Sequence, residues 1–181
     1  MRLSKTGYYA DFVIYAAVLA TAVVVTAWRN TPYTTSIWLL TAAIGALSWT
    51  LFEYLLHRFV LHQIPVFAAM HDAHHQEPLA YIGTPTWLSL GVIAIAVFLP
   101  AWALGSFATA SALAVGVMAG FFWYGLVHHA IHYRRPRMIA RHLLLASRHH
   151  SEHHYARQPG NFGVTTLFWD RVFGTVLKTH P

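Results

Sequence analysis

The chain has 181 residues, 56% hydrophobic and only 10% charged, with a net charge of +6 and no cysteine. That balance excludes an ordinary soluble domain. The missing cysteine excludes disulfides, thiolate iron–sulfur centres and a catalytic thiol. Four nearly uncharged runs account for the apolar excess: residues 8–28, 36–56, 86–104 and 107–127. Each is close to the ~20 residues that cross a bilayer. Only Asp11 and Glu53 interrupt them, both near an end. The first run is longer than a signal-peptide core and no small-residue cleavage site follows it, so it is expected to persist as a helix. Asn30-Thr-Pro32 and Gly105-Ser106 are tight connections, giving two helical hairpins. Tyr8, Tyr9, Trp28, Trp38, Trp87 and Trp123 lie near run ends, where interfacial anchors belong. The expected fold is therefore all-α and integral to the membrane, with four transmembrane helices in two hairpins. One membrane-embedded domain should cover residues 1–181.

Between and after the hairpins lie ten of the fourteen histidines, in four short clusters. They read His57-Arg-Phe-Val-Leu-His62, His71-Asp-Ala-His74-His75, His128-His-Ala-Ile-His132 and His150-Ser-Glu-His153-His154. Imidazole is the commonest metal ligand among side chains, and residues three or four apart share a helix face. The sets 71/74/75 and 150/153/154 and the pair 128/132 can each converge on a point. A spacing of five rotates by about 140° around an α-helix. His62 is therefore expected beyond a helix end or a bend. Ten imidazoles exceed what one ion takes. Shared between two ions they give five each, leaving one position of an octahedral metal open, as a catalytic centre requires. The 57/71 and 128/150 halves look like a coarse duplication. His129 and His149 adjoin ligands but point about 100° away if helical. His142 and His180 belong to no cluster.

Charge fixes the expected topology. Four spans put the N-terminus, the 57–85 loop and everything after 127 on one side. That side holds Arg2, Lys5, Arg58, Arg134, Arg135, Arg137, Arg141, Arg148, Arg157, Arg171 and Lys178, and the other holds Arg29 alone. The bias places the N-terminus, the C-terminus and all four histidine clusters in the cytoplasm, as a metal-binding cap formed by 57–85 and 128–175. It also explains the net charge without nucleic acid, for which no fold signature exists. There is no phosphate-binding loop or dinucleotide fingerprint. The stretch 138–148 alternates Arg and His with Leu and Ile at near-helical spacing, as a helix on the membrane surface does. Gln158-Pro-Gly160-Asn161 is a turn signal, and the aromatic segment 162–176 is expected to pack over the metal site.

Acidic residues number six, and only Asp72, Glu77 and Glu152 lie within the clusters, so histidine supplies most of the ligands. Redox-active iron with an open position suits dioxygen activation against inert C–H bonds of apolar molecules, although zinc could occupy an all-histidine site in a purified sample. Asp72, Glu77, Glu152 and Asp170 are candidates to accept the second N–H of a ligating imidazole. Glu53, near the end of an apolar helix, needs a partner, for which Arg58 or a ligand histidine is expected.

Glu53-Tyr-Leu-Leu-His57-Arg-Phe-Val-Leu-His62, followed in order by His-X-X-His-His, His-X3-His and His-X-X-His-His, resembles the fatty acid hydroxylase and sterol desaturase superfamily. So does the final stretch Asn161-Phe-Gly-Val-Thr-Thr-Leu-Phe-Trp169-Asp170-Arg-Val-Phe-Gly174-Thr175. The 53–62 segment and Tyr124-X3-His128-X3-His132 look most like its fatty acid 2-hydroxylase branch. The resemblance implies a membrane di-iron oxygenase that hydroxylates a lipid, foremost a fatty acyl chain, with dioxygen and external electrons. It carries the metal-ligand role to His57, His62, His71, His74, His75, His128, His132, His150, His153 and His154. Fungal and animal members of that branch carry a fused cytochrome b5 domain. Nothing similar occurs in these 181 residues, so a ferredoxin or cytochrome b5-type donor is expected. Carotenoid ring hydroxylation and sterol or acyl desaturation are the alternative chemistries. A non-catalytic metal-binding membrane protein is the alternative class, and the lack of charge at the run centres argues against a carrier.

Overall fold

In the computed structural model the described residues are 1–29, 32–133, 141–156 and 158–177. The expectations for Asn30 and Thr31, for residues 134–140, and for Arg157, Lys178 and His180 lie outside them. Every regular element among the described residues is helical, with no strand. The order is α1 (Lys5–Arg29), α2 (Pro32–Leu55), a π-helical turn (Leu56–Leu61), α3 (Pro65–Gln76), α4 (Thr86–Ile93), a second π-helical stretch (Ala94–Phe98), α5 (Leu99–Leu104), α6 (Phe107–Tyr133), α7 (Arg141–Tyr155) and α8 (Phe168–Val172).

Local signals explain the ends. The Ser4 hydroxyl accepts the Gly7 amide at 3.0 Å and caps α1, and Ser106 Oγ does the same for Thr109 at 3.1 Å ahead of α6. Pro65 opens α3, where its missing N–H costs nothing. Four stretches are long and apolar enough to cross a membrane: Lys5–Trp28, Thr34–Leu61, Thr86–Leu104 and Phe107–Tyr133. They match the four expected runs, with the second and fourth extended into the histidine clusters.

The chain divides into two compact units. The first holds Met1–Trp49 and Gly83–Phe122. Its buried apolar side chains include Tyr15, Ile93, Ala110, Ala112, Ala114 and Val117. Here α2 and α6 meet backbone to backbone. A Cβ on Gly45 would stand 2.4 Å from the Leu113 carbonyl oxygen, and one on Gly116 only 1.9 Å from that of Ala42. Buried polar groups pair: Tyr15 OH with Ser89 Oγ at 2.9 Å, and Trp38 Nε1 donating to Ser111 Oγ at 3.2 Å. Outward-facing Val13, Val24, Leu40, Leu47, Ile95 and Leu104 are more than 60% exposed. Such a surface suits hydrocarbon rather than water.

The second unit holds Thr50–Ile82 and Trp123–Pro181, and with them every residue of the histidine clusters. Its C-terminal segment is fastened to the end of α2 by Trp169 Nε1 donating to Thr50 Oγ1 at 3.0 Å. Tyr54 adds a hydroxyl contact to Thr175 at 3.0 Å and stacks on Phe173, with ring centroids 5.2 Å apart.

Candidate metal centre

The first cluster solves its spacing with a π-helical turn. Bonding i to i+5 widens the turn, so residues five apart return toward one side. His57 lies in this turn, His62 follows its last residue, and their rings stack at 5.2 Å. The expected departure from α geometry is therefore found, as a widened turn with His62 at its end.

The ten cluster histidines gather into two groups of five. One comprises His57, His62, His71, His75 and His153, the other His74, His128, His132, His150 and His154. Within each, one ring nitrogen per residue lies within 4.8 Å of all the others. This corrects the expectation that each His-X-X-His-His set converges on one point. His71 and His75 share a face, but His74 is turned about 100° from His75. Helix α3 therefore gives two rings to the first group and one to the second. Helix α7 does the reverse, giving His150 and His154 to the second and His153 to the first. The duplication glimpsed in the spacing is a pseudo-symmetric exchange of single ligands.

The nitrogen spacings test whether metals fit. Nitrogens about 2.1 Å from one ion stand about 3.0 Å apart at right angles and about 3.4 Å apart at tetrahedral angles. In the first group His57 and His71 Nε2 are 2.9 Å apart, His71 and His75 Nε2 3.0 Å, and His62 and His153 Nε2 3.2 Å. In the second, His128, His132 and His150 Nε2 form a triangle with edges of 3.1 to 3.2 Å, and His154 Nε2 lies 3.0 Å from His150. These edges run from the right-angle value to midway toward the tetrahedral one, so neighbouring nitrogens in each group are close enough to share one ion, and five per group exceed a closed tetrahedral set. Hydrogen bonding cannot organise that triangle alone, since each neutral ring can donate through only one nitrogen. His74 Nε2 is buried with no hydrogen-bond partner among the described residues, as a nitrogen reserved for an ion would be.

Electrostatics favours the ligand form. Burial first, and neighbouring imidazoles second, hold His74 down to about 3 and His154 to about 2, against an ordinary 6.5. Burial lowers His153 to about 4 despite the opposing Gly160 carbonyl, and also drives His71 and His150 well below the ordinary value. At neutral pH these rings are uncharged and their lone pairs are free.

Two rings of the first group are oriented by backbone carbonyls. His57 Nδ1 donates to the Phe162 carbonyl at 2.5 Å and His153 Nδ1 to that of Gly160 at 2.8 Å. Each bond fixes the tautomer that leaves Nε2 unprotonated. Asn161, between them, has a left-handed φ of 54° and is fully buried. Its amide donates to the His149 carbonyl at 3.2 Å and to Glu152 Oε2 at 3.0 Å, and its Oδ1 accepts the Leu177 amide at 2.8 Å. The sequence marked Asn161 only as a turn. Its position two residues before Gly163, in a segment expected to cover the histidines, was the available signal.

The acidic residues act through this segment. Among the described residues Glu53 bonds neither Arg58 nor a ligand histidine. Its carboxyl accepts the amides of Val164 (2.6 Å) and Thr165 (2.9 Å) and the Thr165 hydroxyl (2.5 Å), while Arg58 donates to Tyr54 OH at 2.8 Å. Asp170, fully buried, accepts the amides of Phe162 (2.8 Å) and Gly163 (2.7 Å) and the Thr175 hydroxyl (2.7 Å). Its histidine partner is His149 at 3.0 Å, which belongs to neither group of five. Burial raises the Asp170 pKa, but these bonds outweigh it and hold the carboxyl below its ordinary value. Glu152 also pairs with Arg148 at 3.2 Å. Asp72 and Glu77 are exposed. His129 stacks on Tyr133 at 4.5 Å, and His142 lines a surface pocket with Trp123, Val127 and Arg171.

Comparison with known proteins agrees with this geometry. The fatty acid hydroxylase family model matches residues 42–175. A dihydroceramide fatty acyl 2-hydroxylase of Arabidopsis thaliana is 33% identical over 152 residues, 76% of this chain and 60% of the plant protein. The fatty acid 2-hydroxylase of Macaca fascicularis is 29% identical, covering 76% of this chain and 40% of that one. A ceramide very long chain fatty acid hydroxylase of Saccharomyces cerevisiae is 35% identical, covering 74% and 37% respectively. The chain thus spans three-fifths or less of the length of these relatives. The solved structure of full-length scs7p, in which only the hydroxylase domain is visible, superposes with a TM-score of 0.80 at 26% identity, over 98% of this chain and 69% of that one. With its four apolar helices and its histidine groups, this integral membrane protein belongs to the fatty acid hydroxylase family.

Proposed function

We propose that the two histidine groups hold two iron ions and that the protein hydroxylates a C–H bond of a fatty acyl chain, at carbon 2 as the relatives' names suggest. The observation that carries this reading is the pair of five-nitrogen sets at ligand spacing, each leaving one position of an octahedral ion for a reactant. Bound iron would supply dioxygen activation, drawing electrons from outside. The chain's own residues hold the ions as neutral imidazoles. The carbonyls of Gly160 and Phe162 keep His153 and His57 in the ligating tautomer. Buried Phe162, with ring centroids 5.5 to 5.8 Å from His62, His57 and His153, shields that group from water. All of the chain is read as one functional domain, with both termini and the centre on the cytoplasmic side, which the eleven-to-one distribution of basic residues supports. The same basic face would attract an acidic ferredoxin or cytochrome b5-type donor.

The test is the lipid extract of cells expressing the wild type beside a His153→Ala variant, read by mass spectrometry. A fatty acyl species heavier by one oxygen, present with the wild type and absent with the variant, is expected. A species lighter by two hydrogens instead would make the protein a desaturase and overturn the proposal.

A further inference from the structure

The two groups of five are not equally supported. In the first, two rings have their outer nitrogen anchored on the backbone of one strap, residues 160–165. In the second, His150 Nδ1 and His154 Nδ1 are both buried and have no hydrogen-bond partner among the described residues. An imidazole whose outer N–H donates to a carbonyl is fixed in tautomer and rotation and is a stronger donor to a metal. A buried ring without that acceptor has neither advantage.

The strap is itself held at both ends by side chains that touch no histidine of either group. Asp170 receives the amides of residues 162 and 163, and Glu53 receives those of 164 and 165. The fit is close enough to exclude a side chain at Gly163, where a Cβ would meet Asp170 Oδ2 at 2.9 Å and the Thr166 carbonyl oxygen at 2.2 Å. Two amides on each carboxyl fix the peptide planes on either side of residue 163, and with them the direction of the Phe162 carbonyl. His149 in turn fixes Asp170.

From this geometry we propose that the protein binds its two metal ions with unequal affinity. The group of His57, His62, His71, His75 and His153 is the tighter, and Glu53 and Asp170 are positioning residues that make it so through the strap. The proposal rests on the metal-centre reading above and adds an order of occupancy to it. A chain short of metal fills the first group before the second, so a singly loaded form exists as a distinct species.

The experiment is metal retention by the purified full-length protein, loaded with ferrous iron without oxygen and titrated with a chelator, the bound metal being counted per chain. The wild type is expected to lose its metal in two steps separated by about tenfold or more in chelator, the effect of an outer partner on a histidine ligand. His62→Ala should remove the tighter step and His132→Ala the weaker one. Asp170→Asn, or Glu53→Gln, should weaken the tighter step by about 10- to 100-fold while leaving the weaker step where it was. Thr165→Ala removes one hydroxyl bond to Glu53, disturbs the fold least, and should shift the same step by a smaller factor. A purely structural role for the carboxyls would move both steps together or unfold the protein, and would overturn the proposal. So would a wild type that releases both ions in one step. A folded wild type that binds no metal would instead overturn the metal-centre reading, and this inference with it.

Discussion

At the scale of single residues, the proposed function rests on neutral, aimed imidazoles. Removing one ligand leaves four nitrogens and an ill-defined geometry. His132→Ala should therefore cost lipid oxidation at least the roughly 10–100-fold that loss of an outer partner costs, with the helical fold kept. Product yield against circular dichroism checks both parts. Protons act on the same rings. Those of His71, His74, His150, His153 and His154 titrate below 6.5 when folded, whereas unfolded histidine titrates at 6.5. Below pH 6.5 the unfolded chain binds more protons, so stability falls as pH falls and is flat above. Each such ring contributes up to about 1.4 kcal/mol per pH unit over its window. Thermal unfolding of the metal-free protein across pH should show this one-sided loss; a melting temperature that rose on acidification would contradict it. Spacing alone picked out the ten histidines that the fold gathers into two groups. Their sharing was not legible, because which of His74 and His75 meets which partner depends on how α3 and α7 face each other. The roles of Glu53, Asn161 and Asp170 were also hidden. Their partners lie up to 112 positions away and are mostly backbone groups, which leave no trace in side-chain spacing.

At the scale of elements, the four apolar helices followed directly from run length, and the Gly105-Ser106 break came where it was expected. The π-helical turn at Leu56–Leu61 was legible only as a misfit, a spacing of five that no α-helix satisfies. The contact of α2 with α6 was hidden, since Gly45 and Gly116 read as two more small residues in apolar runs. Their carbonyl contacts make a direct prediction. Gly116→Ala must push α2 and α6 apart and should destabilise by about 1–3 kcal/mol, whereas Gly91→Ala, inside α4 with nothing within 4 Å of its Cβ, should raise thermal stability in detergent by the helix preference of Ala over Gly, up to about 1 kcal/mol. Equal melting temperatures for the two variants would show that this contact does not bear on stability.

At the scale of the whole molecule, composition pointed to the membrane, and the proposed orientation rests on where the basic residues fall. The chain has no cysteine, so single introduced thiols report cleanly. Glu77→Cys should react only with reagents admitted to the cytoplasm and Ser106→Cys only with those outside; the opposite labelling would invert the topology. On the proposed function, the two histidine groups serve to insert dioxygen-derived oxygen into a lipid C–H bond. The deciding experiment is the mass spectrum of the lipid product formed under oxygen-18 dioxygen by protein supplied with iron and an electron donor. One labelled oxygen on a fatty acyl chain is expected, absent with His132→Ala. An unlabelled product, or one formed equally well by that variant, would contradict it.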